Sequence, residues 1–193
     1  MSRLLVQAST PLCLLQDAGR FGVRHVGVTQ GGAADWLSMT WANWLLGNPF
    51  DAGVIEITLG GLTVVAQSDC TLALAGADLA ASIDGQALKP WRHFSLRKGQ
   101  QLSFTQPLAG ARAYLAAAGG FVAPQVLGSC ATVVREQLGG PDGFGRALAV
   151  GDELSTGASA PVLRELACAH IPDFMTHALL DVVLGAQMSA FSG

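Results

Sequence analysis

Polar side chains with chemical potential are concentrated in residues 16–35 of this charge-poor sequence. The stretch contains two arginines, one histidine, two aspartates and five glycines. Glycines allow backbone N–H groups to converge on an anion, and an arginine can bind a carboxylate or phosphate through two hydrogen bonds. We therefore predict that Arg20 and Arg24 bind a carboxylate or a phosphate. The structural alternative is that Asp17 and Arg20 form a pair that staples a long loop.

The same stretch offers candidates for proton transfer. His25 is the candidate acid or base, because an imidazole titrates near neutral pH. The alternative is a histidine that is simply hydrogen-bonded. Asp17 and Asp35 are the candidate catalytic carboxylates that would orient it. Asp35 also has the residue type and position of a helix N-cap.

Two carboxylates outside this stretch are further candidates for substrate or phosphate binding. Glu56 lies within a strand-like run, where it faces either inward or outward. Asp78 follows an apolar run and is either a turn former or a carboxylate that faces a ligand. A glycine cluster at 139–146 could cradle a phosphate, but it lacks the lysine and hydroxyl of a P-loop, which favours a turn.

The sequence predicts no metal site. His170, Asp173 and His177 have a spacing that could place them on one helix face, but Pro172 interrupts such a helix. The four cysteines are far apart and form no C-x-x-C pair. This pattern is typical of reduced thiols in a cytoplasmic protein.

Composition excludes several classes of protein. Of the 193 residues, 50% are hydrophobic and 13% are charged, and the formal net charge is −3. So much apolar content excludes disorder, and scattered basic residues outnumbered by acidic ones argue against nucleic-acid binding. The longest uncharged run, 113–134, is broken by glycine and proline, so we interpret it as two strands rather than a membrane helix. No secretory signal is evident at the N-terminus.

Many short apolar runs, separated by turn signals every 8–12 residues, predict an all-β barrel or sandwich. Asp84-Gly85 is typical of a hairpin turn. One helix is predicted at 36–46, after Asp35 and before Gly47. It carries no charge, so it either plugs one end of a barrel or offers a second face to a partner. The pattern changes near 151–161, where 151–154 is typical of the last tight turn and strand of a barrel and 155–161 is typical of a linker.

Several ordered motifs give the sequence a resemblance to the family of KipA and the C subunit of 5-oxoprolinase, also called the biotin-dependent carboxyltransferase or allophanate hydrolase subunit 2-like family. The motifs are Gln16-Asp-x-Gly-Arg-x-Gly22, Gly32-Ala33-Ala34-Asp35, Glu56-Ile-Thr-Leu-Gly-Gly61, Leu74-Ala-Gly-Ala-Asp78, Arg112-Ala-Tyr-Leu-Ala-Ala-Ala-Gly-Gly120, Val126-Leu-Gly-Ser129 and Gly145-Arg146. The motifs occur in this order, and the resemblance covers roughly residues 3–154.

The resemblance implies a cyclophilin-like β-barrel and a second related barrel. We expect a first barrel domain at 1–158, a linker at 159–169 and the beginning of a truncated second barrel at 170–193. The implied activity is ATP-dependent opening of 5-oxoproline to glutamate, with ATP and magnesium used by a complex that includes a KipI-like, B-type partner and an A-type partner. Alternatives are a biotin-dependent carboxyltransferase of the urea carboxylase kind and a non-catalytic antagonist of a kinase inhibitor.

Overall fold

The chain folds into twelve strands and one α-helix in the computed structural model, which describes residues 1–175, 179 and 181–190. The elements are β1 Arg3–Ala8, β2 Cys13–Gln16, α1 Trp36–Trp44, β3 Val54–Thr58, β4 Leu62–Ala66, β5 Cys70–Asp78, β6 Ala81–Ile83, β7 Gln86–Ala87, β8 Arg92–Leu96, β9 Gln101–Phe104, β10 Ala109–Ala117, β11 Phe121–Val122 and β12 Glu153–Thr156. Short 3₁₀ turns occupy Arg24–Val26, Cys168–His170 and Met188–Ala190. The expected all-β class with one helix is confirmed.

The strands form two sheets that do not close into a single barrel. One sheet has the order β11-β12-β1-β4-β9-β6-β7, and the other has the order β2-β3-β10-β5-β8. The chain crosses from β3 to β4 through three consecutive residues with positive φ, Leu59, Gly60 and Gly61. A Cβ on Gly60 would lie 2.8 Å from the carbonyl oxygen of Thr105, so the crossing needs glycine there.

Strand β5 and residues 113–117 of β10 are buried on both faces. On one face, Leu72, Leu74 and Leu115 join the main core between the two sheets. On the other face lies a second cluster that contains three alanines of the sheet, namely Ala73, Ala75 and Ala116. The small side chains allow α1 to pack closely on the outer face of the five-stranded sheet. The uncharged run at 113–134 therefore begins as a central strand, and no helix within the described residues is long and apolar enough to cross a membrane.

Helix α1 begins where the sequence predicts. The Oδ1 atom of Asp35 accepts a hydrogen bond from the Ser38 amide at 3.0 Å, which is a standard N-cap. The helix covers a sheet face rather than one end of a barrel. Its side chains Met39 and Ala42, and Leu45 just after it, pack in the second cluster.

Residues 158–174, which we name the strap, contact the C-terminal end of the helix and continue to Trp91. The amides of Val162 and Arg164 donate to the carbonyls of Leu46 and Leu45, at 3.1 and 3.0 Å. Val162 sits directly over Gly47, where any Cβ would lie 2.7 Å from the valine Cβ. The predicted linker at 159–169 thus contacts the end of α1 over part of its length. In the predicted second domain, 176–178, 180 and 191–193 lie outside the described residues, and His177 is among them.

The close approach of β10 to Gly76 predicts that β5 needs glycine at this position. Gly76 has φ +93° within β5, and a Cβ there would lie 2.5 Å from the carbonyl oxygen of Arg112. We expect Gly76→Ala to lower the free energy of unfolding by at least about 3 kcal/mol, because strain and overpacking add. Urea denaturation measures this change.

Gly85→Ala is the matched control. Gly85 has φ +81° in the β6–β7 turn, with open space where a Cβ would stand. This variant carries only the conformational cost, about 1 kcal/mol. Equal losses in the two variants would contradict the close-approach argument.

Candidate functional site

The polar stretch of the sequence forms a long loop between β2 and α1. We name residues 17–35 the groove loop. Its two ends are joined by hydrogen bonds from the Ala33 amide to the Asp17 carbonyl, at 3.0 Å, and from the Arg20 amide to the Gln30 carbonyl, at 2.7 Å. The tip between them is exposed and carries Arg24 in a short 3₁₀ turn. The loop is therefore closed at its base and open to solvent at its tip.

Arg20 is buried beneath the loop, with 1% of its surface exposed. Its Nε donates to the Val126 carbonyl at 3.0 Å, and its Nη2 donates to the carbonyls of Ala131 at 2.7 Å and Ser129 at 3.4 Å. Its Nη1 has no partner within the described residues. The side chain thus binds backbone carbonyls of this protein and does not reach the surface where a ligand would bind.

Asp17 binds the same distant segment from another side. Its Oδ1 accepts hydrogen bonds from the Gly19 amide at 2.7 Å and the Ser129 hydroxyl at 2.6 Å, and its Oδ2 accepts from the Cys130 amide at 2.7 Å. No ion pair joins Asp17 to Arg20 in the described part of the chain. The two residues do fasten the loop, but each does so through residues 126–131.

Burial beside Asp17 also changes the pKa of a neighbouring thiol, that of Cys130. Burial raises the pKa of Cys130 to about 12, and the negative charge of Asp17 adds to the effect. Cys130 is therefore a neutral, unreactive thiol near neutral pH.

A second buried network fastens the other end of the groove loop. Glu56 faces inward, and its Oε2 accepts hydrogen bonds from the Tyr114 hydroxyl at 2.7 Å and the Ala34 amide at 2.8 Å. The Tyr114 hydroxyl accepts in turn from the Asp35 amide at 2.7 Å. Arg112 lies 3.9 Å from Glu56 Oε1. The Asp35 carboxylate is committed to capping α1 through Ser38.

Two other candidates have structural partners. Asp78 accepts hydrogen bonds from the Ala80 amide at 3.1 Å and from Lys89 Nζ at 3.0 Å, as a turn former does. In the glycine cluster, Arg146 contacts Asp142 at 2.7 Å and binds Asp152 through two nitrogens. This favours the turn over the phosphate cradle. No three His, Cys, Asp or Glu side chains of the described residues are grouped to hold a metal ion.

An open groove of about 660 Å³ lies along the second half of the groove loop. Its lining residues are Arg24, Gly27, Val28, Thr29, Gln30, Gly31, Gly32, Ala33 and Ala34. Arg24 is the one charged side chain in this lining, and its Nη2 donates to Gln30 Oε1 at 2.8 Å. His25 is exposed in the same 3₁₀ turn as Arg24. The arrangement can bind a single anionic group at the rim of the groove.

Glu136 does not line the groove, but it binds Thr29, which does. Its Oε2 accepts a hydrogen bond from the Thr29 amide at 3.1 Å, and its Oε1 accepts one from the Thr29 hydroxyl. Arg135 also donates to Oε1, at 2.6 Å. The Thr29 hydroxyl, with further help from Arg135, lowers the pKa of Glu136 to about 2, so the carboxylate stays charged.

Sequence reasoning missed Glu136, Thr29, Tyr114 and Ser129 as parts of the site. Their partners are separated from them by 58 to 112 positions. Local spacing carries no signal of such pairs. Of the predicted residues, the structure brings Arg24 to the groove and places His25 beside it. It puts Asp17 and Arg20 beneath the loop, Asp35 and Glu56 at its end, and Asp78 in a separate turn.

Comparison with known proteins gives consistent matches. The family described as "carboxyltransferase domain, subdomain A and B" matches residues 26–193. Two similar proteins are each named as the C subunit of 5-oxoprolinase. The one from Haemophilus influenzae is 38% identical over 177 residues, covering 92% of this chain and 55% of the relative. The one from Escherichia coli is 41% identical over 145 residues, covering 75% of this chain and 46% of the relative. The chain thus spans about half the length of these two relatives.

Solved structures show the same fold. A structure of TTHA0988 matches with a TM-score of 0.80 and 32% identity, covering 89% of this chain and 34% of that one. The K. lactis urea amidolyase matches with a TM-score of 0.81 and 27% identity, covering 90% of this chain and 11% of that one. In sequence, the urea amidolyase of Saccharomyces cerevisiae is 34% identical over 141 residues, which is 72% of this chain and 8% of that protein.

The buried contacts of Arg20 lead to a prediction about stability. Arg20→Met would remove the guanidinium donors from the carbonyls of residues 126, 129 and 131. The carbonyls of Val126 and Ser129 would each keep a backbone donor, whereas that of Ala131 would keep none among the described residues. We expect the free energy of unfolding to fall by about 3 kcal/mol, because a buried carbonyl without a donor costs about 1–3 kcal/mol and two hydrogen bonds from a charged group are lost as well. Arg24→Met, at the exposed tip, should change it by less than about 0.5 kcal/mol. Similar losses in the two variants in urea denaturation would contradict the assignment.

Tyr114 gives a prediction about pH. Burial, followed by the charge of Glu56, raises the pKa of this tyrosine far above its ordinary value. The buried neutral phenol therefore stabilises the fold fully below a pH of about 10, and this stabilisation is lost as the pH rises above that value. Tyr114 is the chain's one tyrosine, so tyrosinate absorbance reports it alone.

We expect no tyrosinate signal from the folded protein at a pH of about 11, where the urea-unfolded chain is largely ionised. Tyr114→Phe should flatten this part of the pH dependence of stability. A folded protein that ionises with a midpoint near 10 would refute the buried network around Glu56.

Proposed function

The chain belongs to the family of carboxyltransferase domains, subdomain A and B, and on this basis we propose that it is part of a C subunit of 5-oxoprolinase. The observation that supports this activity is the identity of 38–41% with two proteins of that name, against 34% for the urea amidolyase of yeast. In this proposal the reaction is conversion of 5-oxoproline, ATP and water into glutamate, ADP and phosphate. It requires A-type and B-type partners.

The groove is the proposed binding site of this chain. A 5-oxoproline molecule carries one carboxylate, and Arg24 is the one charged side chain in the groove lining. Its guanidinium keeps nitrogens free beyond the bond to Gln30, so it can bind that carboxylate in a fork. Glu136 holds the backbone of Thr29 and so keeps the groove wall in place.

His25 is the proposed group for proton transfer. Opening of the lactam breaks the bond between the carbonyl carbon and the ring nitrogen, and that nitrogen must gain a proton. His25 is exposed beside Arg24, and an imidazole is a side chain that can donate such a proton. Asp17, Arg20, Asp35 and Glu56 act indirectly, because their polar atoms bind other parts of the chain and hold the loop that carries Arg24 and His25.

ATP and magnesium do not fit the groove or the glycine cluster at 139–146. The best glycine cluster has its arginine bound to Asp142 and Asp152, and the groove offers a single cation. A nucleoside triphosphate needs several positive or N–H groups around its phosphates. We therefore assign ATP to the complex and describe no step of this chain through it. Because ATP is supplied inside the cell, the proposed location is the cytoplasm.

Carboxyl transfer is the second candidate function. It is favoured by the family itself and by the likeness to the urea amidolyase structure. Biotin would be the carrier of the carboxyl group, and this chain contains no Met-Lys pair of the kind that accepts biotin. Under this alternative a separate biotinylated carrier would have to reach the groove. A non-catalytic antagonist of a kinase inhibitor is a third hypothesis, without an observation of its own.

The test is reconstitution of the full-length protein with its A-type and B-type partners. We expect glutamate release that depends on both ATP and 5-oxoproline. Arg24→Gln should lower kcat/KM at least about tenfold, which corresponds to about 1.4 kcal/mol of lost binding. Arg97→Gln, just beyond the end of β8, is the matched control and should retain activity.

The possible results distinguish a wrong activity from a wrong binding site. No glutamate release by a correctly folded complex would overturn the proposed activity, and biotin-dependent carboxylation of urea by that complex would support the second candidate. Full activity of the Arg24→Gln complex would refute the groove as the binding site while leaving the activity in place.

A further inference from the structure

A second concave site lies away from the groove, between the start of β8 and the strap. This pocket has a volume of about 360 Å³, which is within the range of small-molecule sites. Its lining combines four apolar residues, Pro90, Trp91, Leu166 and Ile171, with Arg92, His93, Glu165, Arg164 and Cys168. Two arginines and a histidine thus face one carboxylate, in a protein whose net charge is negative.

The two arginines of this pocket have no acidic partner among the described residues. Among the described residues, four of the nine arginines form an ion pair, namely Arg3, Arg112, Arg135 and Arg146. Arg92 and Arg164 are among the five that form none. Glu165 lines the same pocket without pairing with either. Two guanidinium groups that share a concavity without an ion-paired carboxylate create a positive potential there.

Arg164 is held in place by the C-terminal end of α1. Its guanidinium carbon lies 5.1 Å from the centre of the Trp44 ring, and its Nη1 donates to the Trp44 carbonyl at 3.2 Å. Its backbone amide donates to the Leu45 carbonyl at the end of α1. The Nε and Nη2 groups remain available, since no described residue accepts from them. The side chain is therefore fixed before any ligand arrives, which lowers the entropy cost of binding.

The wall of the pocket is also fixed. Trp91 has a φ of +67°, which is rare for a large side chain, and its amide donates to the Leu74 carbonyl at 2.6 Å. Its ring stacks on Phe174 of the strap, with centroids 6.4 Å apart. Phe174 occupies the space next to Gly110, where a Cβ would lie 3.2 Å from its ring. Backbone strain that is held this firmly is concentrated at functional sites.

We propose that this pocket binds a small organic anion that has one carboxylate and a compact apolar body. Arg92 and Arg164 bind the carboxylate, and the apolar side chains of Leu166 and Ile171 cover the body of the ligand. The groove plays no part in this binding. The proposal therefore stands apart from the proposed oxoprolinase function.

The experiment compares benzoate with benzamide, which are nearly the same in shape and differ in charge. Binding to the full chain is followed by line broadening of the ligand's NMR signals. We expect benzoate to bind at least about tenfold more tightly than benzamide. Arg92→Gln should weaken benzoate binding at least about tenfold, because it removes one of the two cations. Arg92 is exposed, so the variant should fold normally.

Arg97→Gln is the control, because Arg97 is an exposed arginine just beyond the same strand that does not line this pocket. It should leave benzoate binding unchanged. Equal affinity for benzoate and benzamide would overturn the proposal, as would an unchanged affinity of the Arg92→Gln variant. Loss of benzoate binding in Arg24→Gln but not in Arg92→Gln would assign the anion to the groove and refute the second site.

Discussion

The burial of Arg20 among backbone carbonyls is the interaction on which the candidate site depends. A guanidinium removed from water needs acceptors, and the acceptors here are peptide carbonyls of residues 126–131. Those carbonyls lie in a segment with little regular structure and need donors in return. Asp17 accepts from an amide of the same segment. The two side chains together keep two irregular segments, more than a hundred positions apart in sequence, in one conformation.

A second constraint ties the groove loop to the sheet. Tyr114 projects from the face of β10 that is opposite the main core, so one strand serves two layers. Its hydroxyl joins Glu56 of the adjacent strand to Asp35 at the start of α1. This phenol therefore links the start of the helix and the end of the loop to the sheet. The loop is fixed at both ends, whereas its middle, with Arg24 and His25, stays exposed to solvent.

Features governed by local chemistry could be predicted from the sequence. The N-cap at Asp35 and the turn at Asp84-Gly85 depend on neighbouring residues and are found as expected. The division into two sheets and the partners of Arg20 depend on contacts between distant residues, so spacing alone could not show them. The clustering of charges at 16–35 did identify the loop that lines the groove. It could not distinguish an exposed side chain at the groove, such as Arg24, from one that holds the loop, such as Arg20.

The alanines beneath helix α1 have a consequence for how this fold can vary. Ala73, Ala75 and Ala116 present single methyl groups to the helix, so at these positions the sheet adds little to the space that Met39 and Leu45 fill. A larger residue at any of the three would lift or tilt the helix. Because Asp35 begins the helix and also ends the loop, such a tilt would be transmitted to the mouth of the groove. Three small side chains that do not line the groove therefore affect how wide its mouth is.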